Sequence, residues 1–158
     1  MKGAEYEFDL FEQVPVRSPP YHCAPPKLRL FKEFVEDLLQ KRVVRPSKSS
    51  YASPEFFLPK SGGGYRMIVG YRKVNKKNCF DSYPLPKIEQ AFQNFSEAML
   101  FSVLDFNSAY YQMPLTLQSR RIMAFCTPFE LYDFNKLPMG ISIGCHVLSR
   151  VVVNLFAD

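Results

Sequence analysis

Apolar and polar residues recur along this chain at two periods, and each period marks elements. Leu28, Phe31, Val35, Leu38 and Leu39 share one face at helical spacing, which predicts a helix over Lys27 to Lys41 with Pro25-Pro26 at its first turn. Glu55 to Lys60 and Tyr65 to Tyr71 read as two strands, and Ser61-Gly62-Gly63-Gly64 between them predicts a hairpin. Arg121 to Cys126 and Leu131 to Leu137 predict a second hairpin, turning at Thr127-Pro128-Phe129 and ended by Pro138-Met139-Gly140. Pro84-Leu85-Pro86 introduces a helix from about Lys87 to Phe95, and Leu100 to Leu104 is a β-type run that predicts a strand ending on Asp105. Ser142 to Asp158 predicts a helix, against the β-branched run Val151-Val152-Val153. Residues 1 to 26, polar and then rich in proline, predict an extended arm or linker. Hairpins mixed with single helices, without an internal repeat, point to an α+β fold rather than regular βαβ units.

Composition narrows this picture. The 158 residues suffice for one domain or for part of a larger one, and 47% hydrophobic content argues against disorder. No apolar run approaches the ~20 residues of a membrane span, so no membrane partner is expected. Met1-Lys2 leads into Glu5, Glu7 and Asp9 rather than an apolar signal core, so the expected location is intracellular. The net charge of +5 is unevenly placed. Lys41 to Lys77 holds ten Lys/Arg and a single acid, Glu55, whereas Asp81 to Asp158 holds five basic and seven acidic residues. One basic segment is the pattern of a polyanion-binding face, or of a solvated basic surface. Cys23, Cys79, Cys126 and Cys145 form no C-x-x-C pair; they read as buried free thiols, with His22-Cys23 and Cys145-His146 as the pairs able to meet around Zn²⁺.

Asp105 is the most informative residue. A strand that ends on a carboxylate holds a hard divalent cation rigidly at a cleft edge, where water and substrate phosphates complete the oxygen ligands. The plainer reading is an ordinary strand end or helix cap.

Three segments, in order, carry a family resemblance. The first is Arg45-Pro46-Ser47, Tyr51-Ala52-Ser53-Pro54 and Tyr65-Arg66-Met67-Ile68-Val69-Gly70-Tyr71-Arg72-Lys73-Val74-Asn75. The second is Tyr83-Pro84-Leu85-Pro86, Phe101-Ser102-Val103-Leu104-Asp105 and Tyr110-Tyr111-Gln112. The third is Ala124-Phe125, Leu131-Tyr132-Asp133-Phe134 and Leu137-Pro138-Met139-Gly140. In this order and spacing the chain resembles the reverse transcriptase of gypsy-type LTR retrotransposons, from about Tyr21 onward.

The resemblance implies the fingers and part of the palm of a right-hand polymerase. An arm of residues 1–20 would precede fingers of about 20–79 and 113–142 and a partial palm of about 80–112 and 143–158. It implies RNA-directed DNA synthesis by two Mg²⁺ ions, or Mn²⁺, flanking the reacting phosphoryl group. Asp105 and the backbone carbonyl of Phe106 would contact metal. Lys60 and Arg66 would clasp the dNTP triphosphate, with Arg able to bind two oxygens. The backbone at Ser108 and Ala109 would face the triphosphate, Tyr110 would gate the sugar, and Met139 would lie in the same dNTP site. Arg72, Asn75 and Gly140 would contact the template, with Lys73, Lys76 and Lys77 adding a non-specific field. Implied partners are an RNA or DNA template-primer, dNTP and the rest of the Pol polyprotein: palm remainder, thumb and RNase H. Implied location is a cytoplasmic particle with later nuclear delivery.

Departures accompany the match. No Asp-Asp pair occurs in these 158 residues, so the family's Tyr-x-Asp-Asp carboxylates are not among them. Gly70 stands where Asp is usual, Ala109 where Gly is frequent, and Glu130 at a turn position that is often Gly and where positive φ is expected. Gly144-Cys145 replaces Ala-Pro, and Leu148-Ser149 replaces Phe-Gln. The isolated chain is expected to be inactive or nearly so. An alternative reading is a non-catalytic nucleic-acid-binding remnant or domesticated fragment.

Overall fold

In the computed structural model, residues 5–79, 81–85, 87–95 and 99–156 are described. Helix α1 (Pro25–Gln40) starts on its proline and buries Phe31, Val35 and Leu38. The chain leaves it through Arg42 at φ +54, where the Arg42 and Val43 N–H groups return to the Leu39 and Leu38 carbonyls. Then follow β1 (Val44–Pro46), β2 (Ser53–Pro59), β3 (Tyr65–Val69), the one-turn helix α2 (Arg72–Asn75) and α3 (Ile88–Phe95). A 3₁₀ turn (Ala109–Gln112), α4 (Leu117–Ile122), β4 (Phe125–Cys126), β5 (Leu131–Phe134) and α5 (Gly144–Leu155) complete the order.

The five strands form one sheet in the order β1-β5-β4-β2-β3. Pairing is antiparallel except between β2 and β4, which makes the fold α+β as expected. The core lies around β4 and β5: Phe125 rings stack near Tyr132 and Phe134, at 5.7 and 5.0 Å between centroids. Tyr71 is fully buried there, and its phenol donates to the Met123 carbonyl at 2.8 Å, which satisfies the one polar atom the ring brings inside.

The N-terminal stretch is extended and stitched to this body. Phe8 is buried and its N–H donates to Ser119 Oγ at 2.7 Å, while Ala52 donates its N–H to the Val16 carbonyl and accepts the Ser18 N–H on its own carbonyl. Lys77 pairs with Glu12 at 3.0 Å and donates to the Val14 carbonyl, so this cation holds the arm rather than joining a solvent-facing field.

Four expectations are corrected. Leu100 to Leu104 is not a strand. A strand needs a ladder partner, and none of the described residues pairs with this run; Leu100, Val103 and Leu104 stand exposed. Arg121 and Ile122 belong to α4 rather than to a hairpin strand, because Thr116 caps that helix by accepting the Ser119 N–H. The thiols are not buried: Cys79 and Cys145 are exposed, Cys23 and Cys126 half-buried. Glu130 does not need positive φ. Its turn is held by Thr127, whose Oγ1 accepts the Glu130 N–H at 2.9 Å and donates to the Glu130 carbonyl. Among the described residues no helix is long and apolar enough to cross a membrane. The expected end of the last helix at Asp158, and Pro86, lie outside the described residues.

Candidate functional site

The register of the β2–β3 hairpin sets the first half of the site. Phe57 lies across from Met67 and Leu58 across from Arg66. Alternation then gives the hairpin two chemically different faces. Phe57 packs on Phe31 and Phe34 of α1, at 4.3 and 5.2 Å, and on Tyr65. The opposite face presents Leu58, Lys60, Arg66 and Ile68, which line a cleft of about 440 Å³ with Ser61 and Gly62. Lys60 and Arg66 thus share one cleft, as the sequence suggested. Gly63 and Gly64, at φ +88 and +78, make the turn possible. Neither cation has an acidic partner among the described residues.

The second cluster joins β3 to the loop after β5. Asn75 donates through Nδ2 to the Gly140 carbonyl at 2.9 Å and accepts the Ser142 N–H on Oδ1 at 3.0 Å. Its amide is therefore occupied in fixing the Gly140 loop. Gly140 has φ +97, and a Cβ there would lie 3.3 Å from the Val69 carbonyl oxygen, so glycine is required twice over. Arg72 at the start of α2 and Met139 beside Gly140 remain exposed around this junction.

The third cluster surrounds the 3₁₀ turn. Ser108 enters it in the left-handed region at φ +51, and Gln112 Nε2 donates to the Asn107 carbonyl at 2.8 Å. Ala109 and Tyr110, as first-turn residues, have no acceptor for their N–H groups inside the turn. Tyr110 lies against α5: its hydroxyl meets Cys145 Sγ at 3.3 Å, and a Cβ on Gly144 would come within 2.9 Å of its ring. That bond, with burial second, pushes the Tyr110 phenol up to about 12. Asp105 and half-buried Phe106 precede the turn, and Asp105 is exposed.

The pattern that defines "Reverse transcriptase (RNA-dependent DNA polymerase)" matches residues 58–158. The chain belongs to the reverse transcriptase family. It is 30% identical over 154 residues to the retrovirus-related Pol polyprotein from transposon 412 of Drosophila melanogaster, covering 94% of this chain and 12% of that protein. It is 32% identical over 147 residues to the transposon Tf2-7 polyprotein of Schizosaccharomyces pombe, covering 91% of this chain and 11% of that protein. The chain therefore spans only a small part of these relatives. A foamy viral protease-reverse transcriptase in complex with dsDNA superposes with TM-score 0.84 at 21% identity, covering 99% of this chain and 33% of that one. The same protein with an RNA/DNA hybrid gives 0.78. These likenesses show the reverse transcriptase fold.

The two-metal centre expected of a reverse transcriptase is not fitted by the residues present. Asp105 is a single exposed carboxylate, and no group of three or more His, Cys, Asp and Glu suited to a metal occurs among the described residues. Mg²⁺ sheds its water shell reluctantly, so one carboxylate holds it weakly. Asp81 and Asp133 are each paired with an arginine, Asp81 with Arg150 at 2.7 Å and Asp133 with Arg45 at 2.7 Å.

Two features escaped sequence reasoning. Glu55, the one acid of the basic segment, is 1% exposed, so the surface of Lys41 to Lys77 carries no carboxylate of its own. Desolvation pushes its carboxyl up to about 8, and Oε2 has no hydrogen-bond partner. The signal was available: alternation places Glu55 on the same strand face as Phe57. The second is Gly144-Cys145, a departure from the family's Ala-Pro that seats the Tyr110 ring. Gly70, the other glycine departure, is seated tightly as well; a Cβ there would lie 3.3 Å from the Pro54 carbonyl oxygen.

Proposed function

We propose that this chain is the fingers and the first part of the palm of an RNA-directed DNA polymerase carried in an LTR-retrotransposon polyprotein, acting in an intracellular particle. The observation that carries the reading is the pair Lys60 and Arg66, joined in one cleft on the open face of the glycine hairpin without an acid among the described residues to neutralise them. Within a reverse transcriptase, that cleft takes the triphosphate of a dNTP. Arg66 supplies a planar fork for two phosphate oxygens and Lys60 a mobile point charge. Tyr110, its ring set by Gly144 and its hydroxyl by Cys145, is the wall against a ribose 2′-hydroxyl. Asn75 acts on the template by holding the Gly140 loop in shape, and Arg72 meets a template phosphate. Lys73 and Lys76 supply charge without sequence preference.

Divalent metal supplies the nucleotidyl-transfer chemistry of this family, and Asp105 brings one carboxylate toward it. Because that donor set is short, a second reading has a specific observation behind it: the chain alone binds nucleic acid and does not polymerise. One experiment treats both. Fluorescence anisotropy of a labelled RNA/DNA hybrid, titrated with the chain across a salt series, is run with and without dNTP, followed by primer extension in Mg²⁺ or Mn²⁺. Binding that weakens in Lys60→Ala/Arg66→Ala supports the site, and dNTP-dependent tightening assigns it to the triphosphate. A steep salt slope without dNTP tightening supports the binding-only reading. Binding unaltered by the double variant at every salt concentration would overturn the cleft assignment. Primer extension by the chain alone that is lost in Asp105→Asn would overturn the expectation that it is inactive.

A further inference from the structure

The basic segment read from the sequence is divided by the fold into two surfaces, and the polymerase reading uses one. Lys60 and Arg66 stand on the β2–β3 hairpin at one edge of the sheet, whereas Arg45 lies on β1 at the opposite edge. We infer that the groove at the β1 edge, built from Arg45, Lys48 and Arg121 with Ser47, Ser49 and Ser50, binds the phosphate backbone of a nucleic-acid strand. This assignment does not rest on the hairpin cleft or on catalysis.

The groove is a series of clefts rather than one hole. A cleft of about 590 Å³ and one of about 440 Å³ share Arg45, Ser50 and Arg121 in their walls. A third, of about 410 Å³, adjoins them at Ser49 and adds Arg17. Linked depressions with cations and hydroxyls suit a polymer of repeated charges better than a single anion.

Its walls are set before any ligand arrives. Ser47 Oγ donates to Asp133 Oδ2 at 3.2 Å and accepts the Ser49 N–H at 3.0 Å. Ser49 Oγ donates to the Arg121 carbonyl at 2.7 Å and accepts the Tyr51 N–H at 3.0 Å. The loop from β1 to β2 is thereby pinned to both β5 and α4. Arg45 gives Nε and Nη2 to Asp133, at 2.7 and 3.4 Å, which orients the guanidinium at the groove wall. Asp133 is 3% exposed and is the only carboxylate lining the middle cleft, so Arg45 and Ser47 absorb its charge. Lys48 and Arg121 are exposed and have no acidic partner among the described residues. Asp9 lines the larger cleft, so the positive field is strongest between Lys48 and Arg121. Arg121 comes from a part of the chain with an acidic surplus, which is why charge counting along the sequence could not join it to Lys48.

The test is anisotropy of a labelled single strand and a labelled hybrid against Lys48→Ala/Arg121→Ala, with Lys60→Ala/Arg66→Ala in parallel. Both groove residues are exposed, so the melt of the first variant should match the parent. Loss of two phosphate contacts lowers the log–log salt slope by about 2, and the loss should add to that of the hairpin variant. Restored binding in Lys48→Arg/Arg121→Lys shows that charge, and not a fold change, is responsible. An unchanged affinity and slope in the alanine variant overturns the proposal, whatever the hairpin variant does. So does inorganic phosphate displacing the strand as well as an unlabelled oligonucleotide at equal phosphate concentration, since the site would then be one for a free anion.

Discussion

Two stretches of comparable apolar character end in opposite states. Leu131-Tyr132-Asp133-Phe134 lies in the middle of the sheet, between β1 and β4, with three of its four residues buried. Leu100-Phe101-Ser102-Val103-Leu104 has no ladder, and Val103 is 91% exposed. The difference extends well beyond the two runs: of the residues from 79 to 112 whose exposure is described, none is buried. Hydrophobic sequence is a demand for a partner, and burial records whether the partner is present. For β5 the partners are β1 and β4 within this chain; for the run before Asp105 the cover is thin, with Phe101 meeting the exposed Phe95 ring edge-on at 5.6 Å between centroids.

The largest expected effect tests that contrast directly. Phe134 is 1% exposed and packs on Phe125 and Tyr111. Phe134→Ala should cost about 3–5 kcal/mol, as other buried aromatic truncations do. Leu104→Ala, at 71% exposure, should change stability by less than about 0.5 kcal/mol. Urea denaturation reads both. A Leu104→Ala loss approaching that of Phe134→Ala would mean that the run before Asp105 is packed in solution.

The two regions also differ in how they hold an acid. Asp105 is exposed, whereas Glu55 is buried, with its carboxyl pushed up to about 8 by desolvation. In the unfolded chain Glu55 ionises near an ordinary carboxylate value. Between that value and about 8, the folded state keeps a proton that the unfolded state has released. Stability is therefore highest below the unfolded value and falls as pH rises to the folded one, by up to about 1 kcal/mol per pH unit. Glu55→Gln should flatten this slope and be more stable than the parent at pH 8. Denaturation midpoints across pH 4 to 9 check it; equal slopes in both proteins would place the ionised carboxylate in contact with water.

What was legible in the sequence follows the same division. The α1 stripe and the glycine hairpin were readable because their signals are local and their partners lie within the chain. The hairpin register even brought Lys60 and Arg66 into one cleft as expected. The Leu100 to Leu104 strand was misjudged because periodicity reports what a segment can do, not what it pairs with. Helix α4 was missed because Thr116 and Ser119 are polar residues whose capping role only their geometry reveals. The groove at Arg45, Lys48 and Arg121 was invisible for a different reason: it joins residues 76 positions apart, from Arg45 to Arg121, through a crossover in the sheet.

The smallest predicted effect sits at the seam between the two regions. The 3₁₀ turn carrying Tyr110 touches α5 through Gly144, where an added methyl would lie 2.9 Å from the ring. Nothing lies within 4 Å of a Cβ at Gly62. Gly144→Ala should therefore cost about 1–2 kcal/mol by overpacking and move the ring away from Cys145. Gly62→Ala should be neutral within about 0.5 kcal/mol. Melts of the two variants, with mass-spectrometric mapping of thiol labelling at Cys145, separate the outcomes. Faster labelling in Gly144→Ala means that the ring was held over the thiol and that the Asp105 end of the chain is anchored to α5. Identical behaviour of the two variants would mean that the seam yields freely, and that contacts such as Tyr111 on Phe134 and Asp81 with Arg150 hold this region without it.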